Sequence, residues 1–481
     1  ITGKIFYEGK DPTETILQWM SDPEAAIQTD FILARYTPLN QKLSIPAVSG
    51  RIAPGKLLEV KEFKQYLKQI VLKQQQGEKL DPVEKEANAL FARLDLFYRI
   101  INGQAMVLFP SANSYDWQSL DQAPFSPALE SFKNVIDAVK KDNNVQFTEQ
   151  SIVLKKNLND LALSSTHPAE IKKINWELRF NHLRPFQKAW ILYLVSFFLI
   201  LISILSSKKS FYYLGIFFAV AGTAVSIYGF VIRCLIAGRP PVSNMYESVI
   251  WVSFGAVIFA LIFEAIYKSK YFLLSGTAGA TLGLLLADFL PNVLDASIHP
   301  LVPVLRSNYW LTVHVLTITL SYAAFMLGTG VAQVAVGFYA FKPSEKEKLK
   351  ALNLFLYRCT QVGVVLLAAG TILGGVWANA SWGRFWGWDP KEVWALIALL
   401  GYLAILHGRF AGWLRDFGFA VWSILSFLLV LMAWYGVNFI LGAGLHSYGF
   451  SSGGLKEVSL FVASQLAWVL FATYRYRSKS S

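Results

Sequence analysis

The chain of 481 residues has few cysteines and little charge, and each shortage excludes a class of protein. Cys234 and Cys359 are its two cysteines, so no C-x-x-C pair, thioredoxin motif or zinc-type cysteine spacing is possible. Charged residues make up 16% of the chain, hydrophobic residues make up 54%, and the mean hydropathy is +0.40. These values exclude a large soluble domain and are typical of a membrane protein.

The first part of the chain lacks any apolar run long enough to cross a bilayer, and we expect a mainly helical domain at 1–187. The sequence begins with Ile1 and shows no signal peptide, so we expect that an upstream segment is missing. We find no catalytic constellation in this domain. His167 and His182 are isolated, and a solvated role is expected for each.

Local signals predict several elements of this domain. The sequence DPVE at 81–84 is a capping box with proline at the first helical position, and it predicts a helix through about Ile101. The dipeptide Ser-Pro at 126–127 opens a second predicted helix, and another is expected around 55–75. The apolar VLF at 107–109 predicts a short strand.

From 188 onward the chain is a series of apolar runs, which predicts a polytopic α-helical membrane protein with about nine transmembrane helices. A helix rises 1.5 Å per residue, so about 20 residues cross a hydrocarbon core of about 30 Å. The runs cover 189–206, 211–233, 248–267, 271–290, 312–341, 359–378, 393–411, 418–441 and 456–474.

The net charge of +12 does not indicate a nucleic-acid partner, because the basic residues form short clusters between apolar runs. Connections rich in Lys and Arg alternate with connections poor in them, which is the positive-inside pattern. We expect the basic connections and the C-terminus on the cytoplasmic side. The domain 1–187 is expected on the external side, with the connections 234–247, 291–311, 379–392 and 442–455.

A tryptophan-rich loop is predicted at 377–394, on the external face between two of the spans. One interpretation is a belt of tryptophans at the membrane interface, but a belt needs one or two at each helix end. The density here favours a platform for a large planar ligand. The aromatic and glycine residues of this loop are Trp377, Trp382, Gly383, Trp386, Gly387, Trp388 and Trp394.

The remaining histidines are separated by the predicted topology. His314 lies about one turn inside the external end of the fifth span, and His446 lies in the external connection after the eighth. His299 is also external, and a loop role is expected for it. His407 lies near the cytoplasmic end of the seventh span.

Two external histidines beside an aromatic platform suit a haem, whose iron takes imidazole nitrogens above and below the ring. The competing interpretation of His314 is a hydrogen-bonded contact between helices. Ionisable residues inside a membrane are costly, however, and usually functional. A zinc site is disfavoured because no third clustered ligand accompanies His314 and His446.

Four motifs occur in the order found in one family of membrane proteins. WGRFWGWD at 382–389 resembles the WWD signature of haem-handling proteins in cytochrome c maturation. The surroundings resemble the CcsA/ResC component of system II cytochrome c synthases over about 190–475. The other three motifs are GRPPVSNMYES at 238–248, WLTVHV at 310–315 with SYA at 321–323, and GVN at 436–438 with GLHSYG at 444–449. The external domain resembles the fused CcsB–CcsA form, although no motif is recognised in it.

The resemblance implies a holocytochrome c synthase of the haem lyase type in a bacterial inner membrane. Such an enzyme carries haem b to the external face and attaches it to the C-x-x-C-H motif of apocytochrome c. His314 and His446 would ligate the iron beside the tryptophan platform, and His407 would belong to a second haem site in the membrane. The partner ligand of His407 would lie in a missing N-terminal CcsB transmembrane segment. A thiol-reducing partner is expected as well.

Other residues of the loops are expected to support the platform. Arg384 is a candidate partner for the haem propionates, because guanidinium pairs with carboxylate, and contact with a lipid headgroup is the competing interpretation. Asp389, followed by Pro390, is expected to cap the seventh span and to orient the loop, and a proton role remains open. Asn244 and Glu247 are possible supporting contacts from another external loop.

Three alternatives compete with this hypothesis. A haem exporter or chaperone would deliver haem without attaching it. A secondary transporter would show inverted repeats and a polar site at the membrane midplane, and neither is evident. A soluble receptor with a membrane tail is disfavoured because the specific motifs lie in the membrane half.

Overall fold

The computed structural model describes most of the chain and divides it into two compact units, Ile1–Lys172 and Lys173–Ser481. The predicted boundary at 187/188 lies inside the second unit. The described residues are 1–2, 7–76, 78, 80–111, 117–164, 169–291, 293–299, 308–442, 444, 446 and 453–480.

The first unit is mainly helical, with two short antiparallel strand pairs. Its helices are α1 (Pro12–Ser21), α2 (Pro23–Gln28), α3 (Thr37–Lys42), α4 (Pro54–Glu59), α5 (Lys61–Gln75), α6 (Pro82–Ile101), α7 (Pro127–Lys140) and α8 (Asn144–Ser164). The strand β1 (Ile32–Leu33) pairs with β2 (Arg51–Ile52), and β3 (Val107–Pro110) pairs with β4 (Trp117–Ser119).

The predicted elements of this unit are confirmed. The Asp81 carboxylate accepts a hydrogen bond from the Glu84 amide, and the Glu84 carboxylate accepts one from the Asp81 amide, which starts α6. The Lys73 ammonium and the Asp81 amide both donate to Glu84 and hold the pKa of its carboxyl below the usual range. The Ser126 hydroxyl accepts from the Leu129 amide and starts α7 in the same way. Proline at the first helical position is therefore a reliable start signal here.

The second unit consists of long apolar helices, and nine of the helices in the described part of the chain can cross a membrane. They confirm the nine predicted spans and make the chain a multi-pass membrane protein. The first span, Lys173–Ser206, covers most of α9 (Ala169–Leu183) and all of α10 (Pro185–Ser206). The other helices are α11 (Lys209–Ala237), α12 (Met245–Tyr267), α13 (Tyr271–Phe289), α14 (Asn308–Phe341), α15 (Lys346–Trp382), α16 (Pro390–Phe410), α17 (Asp416–Leu431) and α18 (Leu455–Ser480).

The long helix α14 forms the centre of this unit and packs along α12, α15 and α17. Its inward face carries small residues, including Ala323, Ala332 and Ala335, which are fully buried and let neighbouring backbones approach. The helix α17 continues as a π-helix at Met432–Leu441. A π-helix of this length is rare, and shorter π segments inside helices often mark functional sites.

A buried ion pair fixes one end of the helix bundle. The Arg233 guanidinium donates to Glu247 at 2.9 Å and to the Ala296 carbonyl at 2.9 Å, and both charged side chains are at most 1% exposed. The second oxygen of Glu247 accepts from the amide and hydroxyl of Ser243. Two interhelical connections are thereby tied to α11 and α12.

Replacement of Glu247 with Ala is expected to destabilise the protein by about 3–5 kcal/mol, because Arg233 would remain charged and buried without its partner. The measurement is thermal unfolding of the detergent-solubilised protein. As a control, Glu345→Ala breaks an exposed pair with Lys348 and is expected to change stability by at most about 1 kcal/mol. Equal shifts in the two variants would contradict the assignment.

Candidate functional site

The tryptophan-rich loop is shorter in the structure than the predicted range 377–394. The helix α15 continues through Trp382, and α16 begins at Pro390, so the loop proper is 383–389. Gly383 ends α15 in the left-handed region at φ 72°, where its amide bonds the Asn379 carbonyl. The predicted range was too wide because Trp377 and Trp394 are helical residues on either side of the turn.

One glutamate organises the loop from inside. Glu392 accepts hydrogen bonds from the amides of Gly387 and Asp389 at 2.8 and 3.1 Å, and from the Arg384 guanidinium at 3.1 Å. Asp389 caps α16 by accepting from the Lys391 amide, so the predicted cap is confirmed. Sequence reasoning missed Glu392, although the sequence DPKE at 389–392 repeats the capping-box pattern used successfully for α6.

A cavity opens beneath this loop, and its empty space of about 1060 Å³ includes the solvent at its opening. Its wall combines the start of α12, the middle of α14, the end of α15, the loop with the start of α16, and the π-helix. The lining residues used below are Asn244, Ser248, His314, Gly374, Trp377, Phe385, Trp386, Lys391, Glu392, Trp434, Asn438 and His446.

His314 enters the cavity from α14 with a fixed ring orientation. Its Nδ1 lies 2.8 Å from the Gly370 carbonyl oxygen, and a carbonyl can only accept, so Nδ1 carries the proton. The ring lies nearly parallel to Trp377, at 10° and 6.1 Å between centroids. Gly374 makes room for it, since a Cβ there would lie 2.6 Å from Cε1 of the imidazole. In the neutral ring, Nε2 then holds the lone pair.

His446 reaches the same cavity from the connection after the π-helix. Its Nδ1 lies 2.9 Å from Oδ1 of Asp389, whose side chain is 2% exposed. The carboxylate accepts a hydrogen bond from Nδ1–H, so the lone pair of the neutral ring is on Nε2. The edge of Trp382 contacts the ring at 5.0 Å between centroids, and Trp377 lies 5.8 Å away.

Both imidazoles thus have the geometry of metal ligands, which usually donate the second ring N–H to a carbonyl or a carboxylate. The aromatic residues Trp377, Trp386 and Trp434 line the same space. Two imidazoles beside aromatic side chains suit the iron of a planar macrocycle better than a bare metal ion.

The predicted platform tryptophans do not all face the cavity. Trp377 and Trp386 line it. Trp382 lies outside the lining and contacts the ring of His446. Trp388 is 70% exposed and holds a left-handed backbone at φ 56°, a strained conformation for a bulky residue. Trp394 lies on α16 outside the lining.

The two predicted supporting residues have different roles. Asn244 lines the cavity and caps α12 by accepting from the Glu247 amide at 2.8 Å. Glu247 lies outside the lining and holds Arg233 instead. Its contribution to the site is therefore indirect, through the connection that carries Asn244.

The other histidines lie outside this cavity. His407 is exposed on the surface of α16, where its Nδ1 lies 2.8 Å from the Leu403 carbonyl. His299 pairs with Asp295 at 2.9 Å, and this hydrogen bond contributes most to lowering the pKa of Asp295 to about 2. His182 is on α9, and His167 lies outside the described residues.

Sequence reasoning missed two hydrogen bonds between polar side chains of the cavity lining. The Lys391 ammonium donates to the Asn438 side-chain oxygen at 2.9 Å, and the Trp434 indole donates to the Ser248 hydroxyl at 2.9 Å. The side-chain amide of Asn438 in turn donates to the Trp434 carbonyl within the π-helix. The motif GVN at 436–438 was a signal for this residue, but nothing local predicted its partner on α16.

Comparison with known proteins places the second unit in a family. Residues 242–446 match the model of the family described as Cytochrome C assembly protein. The cytochrome c biogenesis protein CcsA of Prochlorococcus marinus strain MIT 9215 is 35% identical over 298 residues, which are 55% of this chain and 95% of that protein. The chain belongs to this family of cytochrome c assembly proteins, whose WWD segment handles haem.

Two further similarities are partial. Protein NrfI of Wolinella succinogenes is 30% identical over 93% of this chain, and the chain spans about half of its length, 51%. A solved structure titled Cytochrome c Heme Lyase CcmF aligns with a TM-score of 0.43 and 14% identity, covering 61% of this chain and 50% of that chain. That score is too low to support a structural comparison.

Replacement of Asp389 tests whether its capping hydrogen bond or its charge stabilises the start of α16. Asp389→Ala removes the cap of α16 and is expected to lower the free energy of unfolding by roughly 1 kcal/mol, whereas Asp389→Asn keeps a good capping residue. Thermal unfolding of both variants in detergent checks the difference. If the Asn variant were destabilised as much as the Ala variant, the carboxylate charge rather than the cap would dominate.

Proposed function

We propose that this protein holds haem b in the cavity, with His314 and His446 as the two axial ligands, and attaches it to apocytochrome c. The observation that carries the proposal is a pair of imidazoles that line one aromatic cavity. The Nδ1–H of each imidazole donates a hydrogen bond to a fixed acceptor. Membership of a family that handles haem in cytochrome c assembly supports the choice of ligand.

The attachment step needs no nucleophile from the synthase. The incoming C-x-x-C-H peptide brings two thiols and a histidine, and the histidine replaces one axial ligand. Each thiol adds across a haem vinyl group, so that a C–S bond forms and the thiol hydrogen ends on the neighbouring vinyl carbon. No oxidant is consumed, but the thiols must be reduced, which is the task of a thiol-reducing partner. The protein contributes positioning and the exclusion of water.

The proposed orientation places the cavity at the external face of a bacterial inner membrane. It is supported by the alternation of basic connections along the nine spans. The N-terminal unit is then extracytoplasmic and the C-terminus cytoplasmic. His407 belongs to an inner haem site whose second ligand comes from a segment outside this chain, which agrees with its exposure on α16.

The purified protein is expected to carry haem with a low-spin, bis-imidazole absorption spectrum. The His314→Ala/His446→Ala double variant is expected to lose this spectrum, because both Nε2 ligands are removed. His299→Ala is the matched control, since His299 pairs with Asp295 on an exposed connection. An unchanged spectrum in the double variant would overturn the ligand assignment.

His407→Ala is expected to reduce haem loading of the external site several-fold when cells supply the haem from inside. The reason is that this variant interrupts the proposed route and leaves the cavity intact. Haem added to the purified variant should still give the bis-imidazole spectrum. Normal loading in cells would remove the support for a transmembrane route.

The competing function is export or delivery of haem without attachment. It shares the cavity and both ligands, so binding experiments do not separate the two. Cells in which this protein is the sole maturation factor are expected to produce cytochrome c with thioether-linked haem. Free haem outside the cell without linked product would favour delivery.

A further inference from the structure

Lys391 brings a positive charge into the wall of the cavity. It is the second residue of α16, and its ammonium lies 2.9 Å from the neutral side-chain oxygen of Asn438 on the π-helix. Among the described lining residues, Lys391 is the one lysine or arginine and Glu392 is the one aspartate or glutamate. The π-helix therefore holds a cation against the same cavity that contains His314 and His446.

Arg384, the cation of the tryptophan-rich loop, forms an ion pair with Glu392. Arg384, the residue predicted to contact the haem propionates, lies outside the lining, and its guanidinium donates to Glu392 at 3.1 Å. The Glu392 side chain is only 9% exposed, so the two charges compensate each other within the loop. Lys391 lines the cavity, whereas Arg384 does not, so Lys391 is the better placed cation for an acidic ligand there.

We propose that Lys391 binds the propionate carboxylates of the haem, and this inference rests on the proposed function. An ammonium–carboxylate hydrogen bond in a partly enclosed cavity is stronger than one between neutral groups. It also fixes which edge of the ring faces inward. With the propionates at α16 and the π-helix, the opposite edge of the ring, which carries the vinyl groups, faces away from these two elements. The thiols of the peptide arrive at that edge.

The test compares haem with its dimethyl ester, in which both carboxylates are neutral, by absorbance titration of the full chain purified from haem-deficient cells. The wild-type protein is expected to bind haem roughly ten-fold more tightly than the ester, the effect of one charge-assisted hydrogen bond. Lys391→Met is expected to weaken haem binding about ten-fold and to leave ester binding unchanged, and Lys391→Gln should behave in the same way. The ratio of the two affinities is an internal comparison and does not depend on the yield of folded protein.

The matched control removes one positive charge away from the cavity. Lys350→Met changes an exposed lysine in the first turns of α15, outside the lining, and lowers the net charge by the same amount as Lys391→Met. This variant is expected to retain the preference for haem over the ester. A preference that survives in Lys391→Met, or disappears in the control, would overturn the role of Lys391.

The failure of the inference can be told from the failure of the proposed function. If haem binds with a spectrum that depends on His314 and His446, but Lys391→Met keeps the wild-type preference, only the role of Lys391 is overturned. If the wild-type chain shows no histidine-dependent binding of haem or of the ester, both proposals fall together.

Discussion

The site depends on one carboxylate that joins two distant parts of the chain. Oδ1 of Asp389 accepts both the Lys391 amide at 3.0 Å, which starts α16, and Nδ1 of His446 at 2.9 Å. His446 follows the π-helix in the chain. This contact ties the end of the tryptophan loop to the imidazole that lines the cavity. Asp389 therefore does more than cap a helix, because it also holds the ring of His446.

The second imidazole of the cavity is held by different contacts. His314 is fixed by a backbone carbonyl of α15 and by the space that Gly374 leaves, so its position follows from how closely α14 and α15 pack. A carbonyl on a rigid helix and a carboxylate on a cap are both acceptors that fix the tautomer. The two rings are therefore oriented before any ligand arrives, and this preorganisation limits what ordering a haem would require.

The spans and many helix starts could be predicted from the sequence because they depend on local signals. Apolar runs of sufficient length and Asp-Pro caps are each recognisable within a few residues. The contacts of the site are not local: 56 residues separate His314 from Gly370, 57 separate Asp389 from His446, and 47 separate Lys391 from Asn438. The π-helix had no sequence signal, and it is the element that brings Asn438 to Lys391. Family resemblance identified the histidines but could not supply their acceptors.

The central claim is that His314 and His446 hold one haem iron between them. The most direct measurement is an experimental structure of the haem-loaded full chain, with the iron located by its anomalous signal or its density. The account predicts a single iron between the Nε2 atoms of His314 and His446, with Trp377 and Trp386 against the ring. An iron ligated by other atoms, or a haem bound elsewhere while this cavity stays empty, would contradict it.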